Sequence, residues 1–180
     1  RLLKLKNIDL VLRALKKAKD NGLNFEYSIV GDGPEKENLI NIAHKLGLES
    51  SVTFCGFLDK NNVIAQFKKH NIMIMPSYPE TFGRVYIEAA AAGLLCIGHK
   101  GSGVEGFFED RRDALFCESN TIEEMIIELI GDINTQKIQK TLFDEIKGRI
   151  KLDDETLPYK DNGYEYWTKT TAKGNYSIKL

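Results

Sequence analysis

The stretch that decides the fold is Ile72-Met73-Ile74-Met75, followed by the segment Pro76 to Gly93 and then by Leu94 to Ile97. Two short apolar runs enclose a loop and an alanine-rich pattern, which predicts a helix from Gly83 to Ala92. Continuous apolar runs are typical of strands that are buried on both faces, as in a parallel sheet. This stretch therefore predicts a strand, a loop, a helix and a second parallel strand.

The same alternation of strands and helices extends to both sides of this unit. Short apolar runs bounded by glycines predict strands, and apolar residues at helical spacing predict helices. The further strands are Phe25 to Val30, Val52 to Gly56 and Ala114 to Cys117. The further helices are one with an apolar face from Leu10 to Ala18 that ends near Asn21-Gly22, and those at Glu35 to Leu46, Asn62 to Lys69 and Thr121 to Ile130. Such alternation favours an α/β fold, a Rossmann-like three-layer domain whose parallel sheet has helices on both faces.

Three loops are placed to hold a ligand in such a fold. Ligands of parallel sheets lie beyond the carboxyl ends of the strands. The loops that follow predicted strands at that edge are Gly31 to Pro34, Pro76 to Gly83 and His99 to Glu105. We expect His99 to be exposed or satisfied by hydrogen bonds, and His44 and His70 to lie on the surface.

Two glutamates flank the start of the alanine-rich helix. Glu80 precedes this helix and Glu88 lies a turn or so inside it, and both accept hydrogen bonds from hydroxyl groups. The first amides of a helix lack internal partners, so the helix start after Gly83 suits a phosphate group. A sugar diphosphate linked to a ribose has hydroxyls at both ends and an anion between them, which matches this arrangement. Two isolated glutamates would more often be solvated surface residues.

Five short segments, taken in order, carry a resemblance to a known family. They are Arg1-Leu2 with Lys6, Val30-Gly31-Asp32-Gly33-Pro34, Val52-Thr53-Phe54-Cys55-Gly56, Pro76-Ser77 with Glu80-Thr81-Phe82-Gly83, and Glu88-Ala89-Ala90-Ala91-Ala92-Gly93. The chain resembles the C-terminal, donor-binding domain of retaining glycosyltransferases with the GT-B fold, in the glycosyl transferases group 1 family. The resemblance covers roughly residues 1 to 135, and the order of the segments makes it specific.

The resemblance implies a role for each matched residue. Arg1 and Lys6 would clamp the donor diphosphate and neutralise the departing charge, and Glu80 would contact the transferred sugar. Glu88 would hold the ribose hydroxyls. The other positions that it implies in substrate binding are Gly31, Phe57, Leu58, Thr81, Phe82, Gly83, Arg84 and Val85. Residues 81–85 would offer backbone amides, whereas Phe57 and Leu58 would border the base or simply pack.

Two positions depart from the family pattern. Asn7 stands where the family usually has glycine, which matters little if the turn tolerates asparagine. Gly101-Ser102-Gly103-Val104-Glu105 replaces the usual Gly-Gly-x-Pro-Glu, which leaves the course of this loop open. Family domains also pair with an N-terminal domain that carries the acceptor site. The chain opens at Arg1 without Met, so we expect a fragment that lacks this partner domain.

Composition restricts the classes of function. A formal net charge of -1 gives no bulk basic surface for nucleic acid. No apolar stretch approaches the roughly 20 residues that span a bilayer. The three cysteines show no metal-ligand spacing, so we expect buried free thiols and a cytoplasmic protein, with membrane association of the full-length enzyme left open. No acidic pair on a strand end indicates a metal-bound diphosphate, and neither a metal nor a cofactor is expected.

The pattern changes after about Gln139, and we expect one domain at residues 1–139 and a tail at residues 140–180. Turn signals at Asn162-Gly163 and Lys173-Gly174-Asn175 predict one or two hairpins. A second, weaker resemblance lies here. The segments Glu145 to Ile150, Asp153-Asp154, Leu157-Pro158-Tyr159 and Gly163 to Tyr166 are similar to the start of oligopeptidase B-type serine peptidases. No catalytic triad is implied by it.

These observations predict a transferase domain. The resemblance implies a reaction that moves a hexose from a UDP- or GDP-linked sugar, with retention at the anomeric carbon, to a saccharide or lipid acceptor held by the missing domain. Two other functions stay open at this point. One is a module that binds a nucleotide sugar without turnover, and the other is an interaction domain created by the peptidase-like tail.

Overall fold

The computed structural model describes residues 1–111 and 114–127, together with the backbone of four strands between residues 154 and 179. Two compact units divide the chain, Arg1–Ile146 and Lys147–Leu180. The predicted domain boundary at residue 139 lies outside the described residues and stays a prediction. The first unit contains all the candidate site residues.

The first unit alternates helices and strands as its sequence predicts. After a short 3₁₀-helix at Lys4–Lys6, the helices are α1 (Ile8–Asp20), α2 (Lys36–Lys45), α3 (Lys60–Phe67) and α4 (Arg84–Ala91), and the strands are β1 (Tyr27–Val30), β2 (Val52–Gly56), β3 (Ile72–Ile74), β4 (Leu95–His99) and β5 (Leu115–Cys117). The predicted ends agree within about two residues, the margin by which such ends are ordinarily ambiguous. Residues 122–127 are helical, and the predicted end of that helix at Ile130 lies outside the described residues.

The strands of the first unit are parallel, but their hydrogen bonds form two ladders. β1 pairs with β2, and β4 pairs with β3 on one side and β5 on the other. The sequence predicted one sheet. Both ladders contribute to the same apolar core, which contains Ile29 from β1 and Ile97 from β4. The carboxyl ends of β3 and β4 therefore meet at one edge, which is where the candidate site lies.

Burial on both faces of β4 shows why its sequence is continuously apolar. Leu95 and Ile97 belong to a core cluster that contains the buried face of α1. Cys96, between them, belongs to a second cluster with Tyr86 and Ala89 of α4. Because successive side chains of a strand point to opposite faces, α1 and α4 cover opposite faces of the sheet. The three-layer prediction is confirmed.

The thiols and one histidine refine the expectations from sequence. Cys96 and Cys117 are buried and Cys55 is half-buried, and all three are free. Burial raises the pKa of Cys96 to about 12 and that of Cys117 to about 11, so neither is a nucleophile near neutral pH.

His70, predicted at the surface, is half-buried because its Nε2 lies 3.1 Å from the Ser28 hydroxyl of β1.

The second unit is an antiparallel sheet. Its strands are β6 (Asp154–Glu155), β7 (Tyr159–Asp161), β8 (Tyr164–Thr170) and β9 (Tyr176–Lys179). β8 pairs with each of the other three. The β7–β8 and β8–β9 pairs confirm the predicted hairpins. Among the described residues, none of the helices has the length and apolar character that crossing a bilayer requires.

Candidate functional site

The first loop of the chain docks onto the loop that follows β3. The Tyr78 amide donates to the Leu5 carbonyl at 2.9 Å, and the Asn7 side-chain amide donates to the Pro76 carbonyl at 2.8 Å. Asn7 adopts the left-handed conformation, with φ of 53°, between the 3₁₀-helix and α1. Asparagine tolerates this conformation better than most residues. The departure from glycine at this position therefore keeps the turn and adds a hydrogen bond.

The Glu80 carboxylate lies at the centre of the two loops. Lys6 Nζ donates to Glu80 Oε2 at 2.8 Å, and the Ser77 hydroxyl donates to the same oxygen at 3.0 Å. The Gly83 amide donates to Oε1 at 3.2 Å. The Lys6 and Glu80 side chains are only 20% and 15% exposed. The structure thus brings together two of the three predicted catalytic residues.

These contacts decide the charge of Glu80. Burial works to raise the pKa of Glu80, but the hydrogen bond and charge of Lys6, the Ser77 hydroxyl and the Gly83 amide lower it. The net result is a pKa below the ordinary carboxyl value. Glu80 is therefore a carboxylate at neutral pH and accepts hydrogen bonds only.

The start of α4 is built around glycine. Gly83 is buried and adopts φ of 58°, and a Cβ at this position would lie 2.7 Å from the Tyr86 ring. No side chain caps the helix. The amides of its first turn lack carbonyl partners within the helix, so those of Arg84 and Val85 are suited to an anion.

Tyr86 anchors the start of α4 to the backbone that follows β3. Its ring is fully buried, and its hydroxyl donates a hydrogen bond to the Met75 carbonyl at the end of β3. Burial raises the pKa of Tyr86, so the phenol remains protonated. The sequence does not single out this residue because a tyrosine in a helix carries no signal of where its hydroxyl reaches.

The glycine-rich loop after β4 holds the backbone of Glu80. The Gly103 amide donates to the Glu80 carbonyl at 2.7 Å, and a Cβ on Gly103 would lie 1.7 Å from the Thr81 carbonyl oxygen. Within the same loop, the Gly101 amide donates to Glu105 Oε2 at 2.6 Å. The structure thereby defines the course of the loop that the sequence left open.

Arg1 and Gly31 lie at the turn after β1. The Leu2 amide donates to the Asp32 carbonyl at 2.8 Å, and this hydrogen bond holds the first residues of the chain against the turn. A Cβ on Gly33 would lie 2.4 Å from the Leu2 carbonyl oxygen, so only glycine permits this approach. The Arg1 side chain is exposed, and the Gly31 amide donates to the Gly56 carbonyl at 2.7 Å. Arg1 thus neighbours Gly31, while the contact with Glu80 comes from Lys6.

The remaining predicted residues have exposed or half-buried side chains. Phe57 is 82% exposed just after β2, and the adjacent Leu58 is half-buried. The others are Thr81, Phe82 and Arg84, which are exposed, and Val85 and Glu88, which are half-buried. Phe82 meets Phe107 edge to face, with ring centroids 5.1 Å apart. Their roles toward a ligand stay predictions.

An aromatic pair that sequence reasoning missed lies at the same edge. Tyr78 stacks on His99, with ring centroids 4.7 Å apart. His99 Nε2 lies 3.0 Å from the Ser119 hydroxyl, and its Nδ1 lies 2.5 Å from the Lys100 carbonyl. The expectation of a satisfied histidine is confirmed. In the sequence, Tyr78 and His99 each follow a predicted strand, and the parallel pairing of these two strands places both rings at the same edge.

Comparison with known proteins agrees with this geometry. The chain matches the profile described as "Glycosyl transferases group 1" over residues 1–142. The chain belongs to the glycosyl transferases group 1 family. The family match ends before β6, so it does not bear on the peptidase-like resemblance of the tail, which stays a prediction.

Individual members of the glycosyl transferases group 1 family and solved structures resemble parts of the chain. An uncharacterized glycosyltransferase of Haemophilus influenzae is 35% identical over 132 residues, which cover 73% of this chain and 36% of that protein. The chain thus spans about a third of this curated relative's length.

Two solved structures share the fold. One is the C-terminal domain of the group 1 family protein LpcC from Francisella tularensis, with a TM-score of 0.69, 22% identity, and coverage of 84% of this chain and 83% of that one. The other is Anabaena HepE in complex with UDP-glucose, with a TM-score of 0.66, 26% identity, and coverage of 82% and 41%. These GT-B neighbours confirm the Rossmann-like α/β fold, and the place of this domain in the C-terminal half of a longer protein stays a prediction.

Metal ligands are not grouped at this site. Within residues 1–111 and 114–127, no cluster of three or more His, Cys, Asp or Glu side chains is arranged to hold a metal ion. Lys6 and Glu80 bring opposite charges together at the site, beside the partial positive charges of the first α4 amides.

Proposed function

We propose that this domain binds a nucleotide diphosphate sugar and, together with an N-terminal domain that holds the acceptor, transfers the hexose with retention at the anomeric carbon. The single observation that carries the proposal is the pairing of Lys6 with Glu80, at 2.8 Å, beside the uncapped start of α4. This arrangement offers one cation, one carboxylate and free amides within one loop cluster. A solved neighbour of the same fold, HepE, holds UDP-glucose, which supports this donor class.

The diphosphate would lie between the cations and the helix start. Lys6 supplies an ammonium group, and Arg1 a guanidinium group on the adjoining turn. The amides of Arg84 and Val85 add partial positive charge. Positive charge at this place favours the departing nucleotide diphosphate more than the intact donor, which is how it would speed transfer without a metal ion.

The two glutamates would hold the sugars on either side of the diphosphate. Glu80, ionised and fixed by three donors, accepts hydrogen bonds from hydroxyls of the transferred hexose. Glu88 is half-buried on α4 and accepts from the ribose hydroxyls. The exposed ring of Phe57 and the neighbouring Leu58 border the base.

The test is a thermal-shift panel of UDP-, GDP- and ADP-linked sugars with the 180-residue chain. A ligand that binds the native state raises its stability by mass action, so at least one of these donors is expected to raise the melting temperature. Inorganic diphosphate and free glucose serve as controls for the separate parts of the donor. A panel without any shift contradicts the proposal.

A second experiment separates transfer from binding alone. The domain is joined to the N-terminal half of a group 1 relative, and release of the nucleotide diphosphate is followed in the presence of acceptors. The proposal expects a product with the donor's anomeric configuration. Donor binding without any transfer would instead support a module that binds a nucleotide sugar without turnover.

A further inference from the structure

Ser77 is a buried polar residue at the centre of the site. Its side chain is fully buried, which is unusual for a serine on a loop. The hydroxyl donates to Glu80 Oε2 at 3.0 Å. The backbone of the same residue is fixed as well, since its amide donates to the Met75 carbonyl at 2.7 Å. The Ser77 hydroxyl therefore donates to the carboxylate from a backbone position that is itself fixed by a hydrogen bond.

The other donor to Glu80 Oε2 is in a different position. Lys6 Nζ sits on that oxygen at 2.8 Å, but its ammonium is at the end of a long flexible side chain that is 20% exposed. In the proposed function, this ammonium also serves the donor diphosphate. A cation shared between a carboxylate and an incoming diphosphate is attracted toward the larger negative charge. The Glu80 carboxylate then loses the hydrogen bond from Lys6, one of the contacts that fix its orientation.

The remaining donors to Glu80 differ in strength once Lys6 turns away. The Gly83 amide contacts the opposite oxygen, Oε1, at 3.2 Å, at the long limit of an N–H···O hydrogen bond. The Ser77 hydroxyl is neutral and fully buried, so it carries no charge for a diphosphate to attract away from Oε2. It can stay on Oε2 throughout donor binding.

We propose that Ser77 is a positioning residue, which holds the Glu80 carboxylate in its sugar-binding orientation while the Lys6 ammonium turns toward the donor diphosphate. The inference rests on the proposed function, because it assumes a donor at this site. It adds to that function a residue that acts through Glu80 and not by contact with the substrate.

The neighbouring contacts explain why this serine can serve as a fixed anchor. Pro76, just before it, is buried and has its carbonyl bound by the Asn7 side chain at 2.8 Å. Tyr78, just after it, has its amide bound to the Leu5 carbonyl at 2.9 Å. The backbone on both sides of Ser77 is therefore held by the first loop of the chain, independently of the Lys6 side chain.

The experiment compares Ser77→Ala with wild type and with Ser28→Ala in the 180-residue chain. Ser28 is a matched control, because its half-buried hydroxyl also bonds one side chain, that of His70, and does not contact Glu80. Calorimetry measures the affinity for UDP-glucose and for UDP. Carbon NMR of the carboxyl groups measures the pKa of Glu80 in each variant.

The expected result is a selective loss. Ser77→Ala weakens UDP-glucose binding by about tenfold, the factor for one lost hydrogen bond to a charged group, and leaves UDP binding within about twofold. The pKa of Glu80 rises, because one of the donors that lower it is gone. Ser28→Ala leaves both affinities and that pKa unchanged.

Other outcomes have distinct meanings. If wild type binds neither UDP-glucose nor UDP, the proposed function and this inference both fail for that donor. If wild type binds UDP-glucose and Ser77→Ala binds it equally well, or loses UDP affinity to the same extent, only the Ser77 inference is overturned. Should Ser77→Ala not fold, Ser77→Cys replaces it, because a thiol is a weak donor of similar size and predicts the same selective loss.

Discussion

At the scale of single residues, the Lys6–Glu80 pair shows how partial burial sets the strength of an ion pair. The two side chains are mostly shielded from water, and the carboxylate accepts three hydrogen bonds. Exposed pairs such as Lys4 with Asp9, in which the lysine side chain is 69% exposed, are worth little because water competes for both charges. We therefore expect the inner pair to matter for stability as well as for binding.

Replacing Lys6 by methionine tests this expectation. The change leaves Glu80 partly buried without its cation, and we expect the free energy of unfolding at pH 7 to fall by about 1–3 kcal/mol, the range for a buried polar group that loses its partner. Urea unfolding followed by circular dichroism measures it. Lys4→Met, which breaks the exposed pair, is the control and should have the smaller effect.

The same pair makes a prediction about pH. The pKa of Glu80 is lowered in the folded state, so its stabilisation is present above the unfolded carboxyl pKa of about 4.3 and is lost as pH falls through the folded value. The difference in unfolding free energy between wild type and Lys6→Met should accordingly shrink below about pH 4. A difference that is equal at pH 7 and pH 3 would contradict the pairing.

Glu88 tests the other end of the proposed donor. Removing its carboxylate by Glu88→Ala should weaken nucleotide-sugar binding by about 1–3 kcal/mol, because hydroxyl groups of the ribose lose a charged acceptor. Titration calorimetry measures this affinity. Glu37→Ala, an exposed glutamate on α2, is the matched control. Unchanged affinity in Glu88→Ala would remove Glu88 from the ribose site.

At the scale of elements, the turn into α1 depends on one left-handed residue. Asn7 has φ of 53° and bonds the Pro76 carbonyl through its side chain. Asn7→Gly keeps the backbone conformation and loses only the bond, whereas Asn7→Ala also acquires backbone strain of about 1–2 kcal/mol. Thermal unfolding should therefore rank stability as wild type above glycine above alanine. Alanine more stable than glycine would refute the strained turn.

The loop after β4 makes a steric prediction. Gly103→Ala would bring a methyl group to 1.7 Å from the Thr81 carbonyl oxygen, so the loop that carries Glu80 must move. We expect at least about a tenfold loss of nucleotide-sugar affinity, since misplacing a group by about 1 Å is costly at a preorganised site. Gly22→Ala is the control, because a Cβ there meets open space although its φ is 77°. Equal effects of both changes on affinity would contradict the steric account.

The elements were largely predictable from sequence, and the contacts between loops were not. Apolar runs such as Ile72 to Ile74 and the spacing in α1 follow directly from burial on one face or two. Lys6 and Glu80 were predicted as partners in function through family resemblance. Ser77 and Gly103 were not assigned roles, because their contacts depend on how the first loop of the chain and the loops after β3 and β4 meet, which residue type and spacing do not encode.

At the scale of the whole molecule, the chain consists of two compact units with different architectures. Arg1–Ile146 contains the parallel strands and every candidate site residue, and Lys147–Leu180 contains the antiparallel strands. A shortened protein that ends at Ile146 should keep nucleotide-sugar affinity within about twofold, since no proposed contact is removed. Calorimetry on both proteins measures this. A large loss would show that the tail contributes to the site.

The sequence separation of Lys6 and Glu80 also determines when their contact can form during synthesis. Seventy-four residues separate the two, and Gly103, which fixes the Glu80 backbone, leaves the ribosome later still. Contacts between distant parts of a chain form slowly, because loop closure has to precede them. A nascent chain is therefore expected to acquire its local secondary structure before the Lys6–Glu80 ion pair forms, and the lowered pKa of Glu80 appears only after these distant segments have met.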